Sequence, residues 1–182
     1  LNRSSDLEIG TDLLWGTTAA HTGTEADGST AHNYAEGAAI NPRTGNVPLI
    51  FRHVMSNVVV SLATSSDASA VDLTGAKITL TSLIKDGIFD IATGDITLGS
   101  TMADITASDE TIMVPQTISD DTRLIITLTD GTTYSLQLNK CTDATDAAVT
   151  EWTSGNKYTY TITLKKEEIK FRALVNDWVA KT

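Results

Sequence analysis

The most regular alternation in the chain is "YTYTITL" at 158–164. Tyr158, Tyr160, Ile162 and Leu164 fall on one side of an extended backbone, and Thr159, Thr161 and Thr163 fall on the other. That period predicts a strand with its tyrosines in a core and its threonines towards solvent. The stretch "TRLIITLTDGTTYSLQL" at 122–138 shows the period twice. Leu124, Ile126 and Leu128 lead into Asp130-Gly131, a dipeptide that adopts the left-handed angles of a tight hairpin turn, and Tyr134, Leu136 and Leu138 run back. "GIFDIATGDITL" at 87–98 reads as two short strands about "ATGD". "AKITLTSL" reads as a strand on Ile78, Leu80 and Ser82. "TIMVPQT" is a strand stopped by Pro115, which cannot donate to a central ladder. Ile169, Phe171, Ala173 and Val175 alternate in a last strand before Trp178.

Upstream, Val47, Leu49, Phe51 and His53 alternate. A slip of phase around Met55 to Asn57 then leads into Val58, Val60 and Leu62, as a β-bulge or one irregular turn would produce. Leu7, Ile9, Leu13 and Trp15 share one parity around Thr11, which predicts a single strand with one apolar face. Residues 16–46 are small and polar and hold no sustained period, too long a stretch to sit inside a compact domain. These breaks predict residues 1–20 as the remnant strand of a preceding N-terminal domain, 21–46 as a flexible linker or loop, and 47–182 as a C-terminal β-sandwich domain. With no helical period, the strands point to an all-β antiparallel sandwich of about seven to nine strands. Phe51, Tyr158, Tyr160, Ile162 and Trp178 are its expected core-defining residues. A lone apolar strand finds no cover in water. Leu7, Ile9, Leu13 and Trp15 are therefore the candidates for docking on a sheet edge, of this chain or of a neighbouring molecule.

Composition narrows the function classes. The 182 residues are 41% hydrophobic and 20% charged, a globular rather than a disordered balance. The formal net charge of −10 leaves no basic stripe for phosphates, which argues against nucleic acid and against an anionic membrane surface. No apolar run approaches the ~18 residues of a membrane-crossing helix, and "LNRSSDLEIG" is not a signal peptide. The one cysteine, Cys141, excludes an internal disulfide and a cysteine-based metal cluster. His21 and His32 lie in the expected linker, and His53 reads as a hydrogen-bonded, partly buried side chain with no nucleophile near it in sequence. The Asp-rich loops "SSDASAVD" and "TASDE" lack the calcium-loop spacing, and Glu167 and Glu168 are neighbours that point to opposite faces of a strand. No catalytic, cofactor-binding or metal-binding residue is assigned, and the chain is not expected to be an enzyme.

Several segments, taken in order, resemble the fimbrillin-like proteins of Bacteroidales, the type V pilin family. They are "DLLWG" at 12–16, "VPLIFRHVMSNVVVSL" at 47–62, "GIFDIATGDI" at 87–96, "MVPQT" at 113–117, "LTDGTTYSLQL" at 128–138, "WTSGNKYTYTITL" at 152–164 and "NDWVA" at 176–180. The resemblance implies two transthyretin-like β-sandwich domains behind a lipoprotein signal, with assembly into surface fimbriae by strand exchange after proteolytic trimming. In that layout the "DLLW" strand closes the N-terminal domain and the "F-x-H" strand opens the C-terminal one; Cys141 in "NKC" is not the lipobox cysteine. The implied protein is a pilin of the cell surface or outer membrane, held to the membrane only through a lipid anchor on a precursor segment. Its implied partners are other pilin subunits, in a homo- or hetero-polymer, with host proteins or glycans as adhesion targets. The alternative is a non-polymerising surface module that binds carbohydrate or host protein. For that reading Trp15, Trp152 and Trp178, all at or beside strand ends, make a weak sugar platform.

Overall fold

A computed structural model describes residues 4–21, 34–36, 49–67, 70–107, 110–143, 145–166 and 169–178. The first strands are β1 (Ser4–Glu8), β2 (Leu14–His21), β3 (Tyr34–Glu36), β4 (Leu49–His53) and β5 (Ser56–Thr64). Next come β6 (Lys77–Ile84), β7 (Asp86–Asp90), β8 (Ile96–Leu98), β9 (Met102–Thr106), β10 (Thr111–Met113) and β11 (Gln116–Thr117). The last are β12 (Arg123–Thr127), β13 (Thr133–Gln137), β14 (Glu151–Trp152), β15 (Asn156–Leu164) and β16 (Ile169–Asp177). Among the described residues the only helical element is one short 3-10 turn, Leu138–Lys140.

Two four-stranded sheets, ordered β10-β5-β15-β16 and β13-β12-β6-β9, share the main core and form an all-β sandwich. The period of β15 is read correctly from sequence: Tyr158, Tyr160, Ile162 and Leu164 are buried, while Thr161 is exposed. They meet Val58 and Val60 of β5, Leu80 and Leu83 of β6, and Leu124 and Ile126 of β12. Each such side chain contributes roughly 1.5–3 kcal/mol by leaving water. β15 pairs antiparallel with β16 (Tyr160 opposite Ala173) and parallel with β5 (Tyr160 opposite Val60). The parallel pair departs from a wholly antiparallel expectation. The chain leaves β5 for the other strands, comes back to one edge of β5 at β10 and reaches its other edge only at β15, so no hairpin joins β5 to β15 and imposes the direction.

The β12–β13 hairpin forms where expected, but its turn differs. Leu128 N–H donates to the Thr132 carbonyl and Gly131 N–H to the Leu128 carbonyl, which closes a three-residue loop. Gly131 (φ +86°) takes the left-handed angle and Asp130 does not; the Asp130 carboxylate instead accepts from the Thr132 amide at 2.8 Å. β9 has no counterpart in the period reading. It pairs with β6 across a register shift between Leu80 and Leu83, beside Ser82 at φ +57°.

The stretch 7–15 is two strands and not one. A turn from Glu8 to Thr11, closed by Thr11 N–H to the Glu8 carbonyl and using Gly10 at φ +86°, separates β1 from β2. The shared parity of Leu7, Ile9, Leu13 and Trp15 survives that turn by coincidence. β1 adds to β7 (Leu7 opposite Gly87), and β2 adds to β4 (Gly16 opposite Phe51). Leu7 is buried in a second, smaller core with Val54, Met55, Phe89 and Val114, and Ile9, Leu13 and Trp15 pack partly against it. The phase slip after His53 is the place where the chain passes from β4, paired to β2, into β5 of the sandwich.

Strand pairing also reaches into the stretch expected to be loop. β2 runs to His21 and pairs with β3 (Ala20 opposite Ala35), because a ladder is made by backbone groups and small residues form it without leaving a period. The rest of 21–46 lies outside the described residues, as do Val47, His32, Glu167 and Glu168. Phe51 is the one expected core residue that the structure turns out: it is 53% exposed. Its strand has an apolar parity, but the Leu49–Phe51 face is not the face against a core.

Candidate functional site

The site is a groove beside β4, and the phase of the ladder decides what β4 offers to it. Val54 N–H donates to the Leu13 carbonyl at 2.8 Å. Bonded pairs alternate along an antiparallel ladder, so Arg52 and Ile50 turn their amides and carbonyls towards β2. Leu49, Phe51 and His53 turn theirs outward, on the strand's other edge. At the closed end of that edge the His53 carbonyl accepts the Ser154 hydroxyl at 3.2 Å. The turn that carries Ser154 is fixed by Ser56 Oγ donating to the Thr153 carbonyl, Gly155 N–H to the Met55 carbonyl and Trp178 N–H to the Gly155 carbonyl. Gly155, at φ +73°, sits so close that a Cβ would lie 3.3 Å from the His53 carbonyl oxygen.

The His53 ring lies flat on Trp178, with centroids 3.7 Å apart and planes 8° apart. Its Nδ1 is 2.8 Å from Asp12 Oδ2, so the orienting carboxylate that the sequence does not reveal comes from the turn before β2. Among the described residues no hydroxyl or thiol is bonded to the ring, and the pair holds a stacked imidazole in place rather than activating a nucleophile. On the other side, Trp15 Nε1 donates to the Ile91 carbonyl at 3.0 Å and the ring meets Phe89 edge-on at 5.7 Å. Gly94 lies against that indole, where a Cβ would come within 2.8 Å of the ring.

Between these walls lies a cavity of about 560 Å3, lined by Trp15, Phe51, His53, Phe89, Asn156 and Trp178 among others. Among the described residues, Arg52 and Asp177 also line it. Of the sequence-predicted residues, Trp15, Phe51 and Trp178 meet here. Leu7 lies in the second core, Ile9 and Leu13 lie against it, and Tyr158, Tyr160 and Ile162 lie in the sandwich. Sequence reasoning misses Asp12, Ser154 and Gly155, which come together only through the fold.

The remaining candidates carry structure. Trp152 is buried and donates its indole N–H to Tyr160 Oη at 2.9 Å, so it is no surface platform. Burial pushes the Cys141 thiol up to about 12, which leaves it protonated and unreactive. Asp72, Asp120, Asp130 and Asp143 are held below the usual carboxylate range, first of all by hydrogen bonds from Thr74, Asn139, Thr132 and Thr145 respectively. They close turns. Among the described residues no group of three His, Cys, Asp or Glu side chains is placed to hold a metal ion, and no helix is long and apolar enough to cross a membrane.

The sequence profile of the fimbrillin-like family matches residues 11–178, and the chain belongs to that family, whose proteins are structural and non-enzymatic. Three solved structures share the fold. One is described as a candidate cell adhesion protein from Bacteroides uniformis: TM-score 0.67, 17% identity, covering 97% of this chain and 67% of that one. A second, of the same description, is from Bacteroides ovatus: TM-score 0.53, 20% identity, 93% and 62% covered. The third is a fimbrilin from Porphyromonas gingivalis: TM-score 0.50, 11% identity, 74% and 61% covered. The chain spans about two thirds of the first and less than two thirds of the other two. No curated protein matches it.

Proposed function

We propose that the chain is a structural subunit of a bacterial surface fimbrium, a pilin that assembles by β-strand exchange and supports adhesion. Family membership gives the fimbrial, extracellular setting. The observation that carries the assembly mode is the seating of β1. Among the described residues it is an edge strand paired with β7, and it seats one buried side chain, Leu7, in the smaller core. A five-residue strand held through one neighbour is the kind of element that one subunit can take from another, with ladder bonds supplying affinity and alternate side chains specificity. On this reading Leu7, Ile9, Leu13 and Trp15 mark the exchange segment, residues 1–20 close a preceding domain, and a lipid anchor upstream ties the fibre to the outer membrane. Partners are other pilin subunits, with host proteins or glycans as targets. Immunogold labelling of the producing bacterium tests this: label should run along surface filaments, and label confined to the smooth envelope would contradict a pilin.

A further inference from the structure

Asn57 of β5 is 1% exposed, and among the described residues neither its side-chain oxygen nor its side-chain nitrogen has a hydrogen-bond partner. Buried amides are ordinarily bonded, so a carboxamide left in this state asks for a reason. Val58 and Val60 face the main core, which puts Asn57 on the opposite face of the sheet. There Ile112, its partner in the β10 ladder, packs against the smaller core. Its partner in the parallel β15 ladder is Lys157. Lys157 Nζ donates to Glu110 Oε1 at 2.7 Å, and Glu110 stands next to Thr111, which pairs with Val58 on the far side of β5. Neighbouring strands lie about 4.8 Å apart, so the lysine and glutamate side chains meet over β5, the strand of Asn57. An amine, a carboxamide and a carboxylate are thereby gathered on one face of the sheet.

We propose that Lys157 and Asn57 join in an intramolecular amide bond, with Glu110 as the proton carrier. Glu110 takes a proton from the Lys157 ammonium, and the neutral amine attacks Asn57 Cγ. The bond from Cγ to Lys157 Nζ forms and the bond from Cγ to Asn57 Nδ2 breaks. Two protons pass from Nζ to the leaving nitrogen by way of Glu110, which ends as the carboxylate it began as, and Nδ2 departs as ammonium. No oxidant, reductant or further reactant is needed. The Asn57 carboxamide is closed to solvent, which keeps water from competing for Cγ. Lys157 and Glu110 reach solvent, which gives the ammonium a way out. The bond ties β5 to β15, two strands that no hairpin connects, and it holds whether or not the chain polymerises.

The test is the intact mass of the folded whole chain, with a tryptic digest to locate any change. The expected mass lies about 17 Da below that of the sequence, the mass of the ammonia lost. Trypsin should then fail to cut after Lys157 and should leave residues 53–77 joined to residues 141–165. Glu110→Ala alters a side chain that is mostly in solvent, so the variant should fold, keep the full mass and be cut after Lys157. Lys157→Arg should likewise keep the full mass. A folded wild-type chain of full mass that trypsin cuts after Lys157 would overturn the proposal. So would a loss of the same size that maps to other residues, or a link that forms equally in Glu110→Ala.

Discussion

Replacing Tyr160 with phenylalanine removes one oxygen from the centre of the sandwich and leaves the shape of the core unchanged. That oxygen accepts the Trp152 indole N–H at 2.9 Å, and both side chains are fully buried. Without it the N–H stays in the core with no water to take its place, which costs about 1–3 kcal/mol. For a chain of this size 1 kcal/mol moves the melting temperature by about 2–4 °C, so Tyr160→Phe should lower it by about 2–12 °C. Tyr160→Ala empties the ring's volume as well and should cost about 3–5 kcal/mol, or about 6–20 °C. Thr161→Ala, one residue on and facing solvent, should stay within about 0.5 kcal/mol. Differential scanning calorimetry of the three variants orders them directly. A Tyr160→Phe protein that melts with the wild type, or a Thr161→Ala protein that falls with Tyr160→Ala, would refute this account of the core.

Burial holds the Cys141 thiol protonated in the folded state, so its contribution to stability is complete below the ordinary value of 9.0 and is lost as pH rises towards about 12. The melting temperature should therefore fall less steeply above pH 9 in Cys141→Ala than in the wild type; equal slopes would be wrong for this thiol. His53→Ala should lower stability through the lost Trp178 stack and Asp12 bond, with a coupling to Asp12→Ala of about 0.5–1.5 kcal/mol in a double-mutant cycle. Additive effects of the two would mean that the contact is idle, and a substrate turned over by the wild type and not by His53→Ala would overturn its structural role. Deleting residues 1–8 exposes the β7 edge and empties the seat of Leu7, which is worth about 1.5–3 kcal/mol. Lower melting and a larger mass in solution are expected by light scattering, and no change in either would mark β1 as dispensable.

The parts of the fold that were legible are those where one face of a strand is buried and the other wet. β15 and the β12–β13 hairpin meet that condition, and their periods locate Tyr160, Leu124 and Ile126 in the core. β9 meets it only weakly: Ala103 and Ile105 are half-buried, and the apolar Met102 lies on the exposed face with Asp104 and Thr106. Phe51 misleads because an apolar parity says which residues share a face, and only the rest of the fold says whether that face is covered. The turn at Gly10 is invisible for a related reason, since a turn that preserves parity leaves the period intact. The parallel match of β5 with β15 and the meeting of Asp12, His53, Ser154 and Trp178 are long-range, and no local spacing encodes them. The groove was therefore half visible: its aromatic residues could be named, but not their meeting beside β4.

The central claim is that this chain is a subunit that polymerises through strands. Ladder bonds between subunits, covered by apolar side chains, exchange slowly and survive detergent until heated. Electrophoresis in SDS of surface material from the producing bacterium, run with and without boiling, tests this most directly. The account predicts a ladder of multimers in the unboiled sample that collapses to one band on boiling; a single monomer band in both lanes would contradict it.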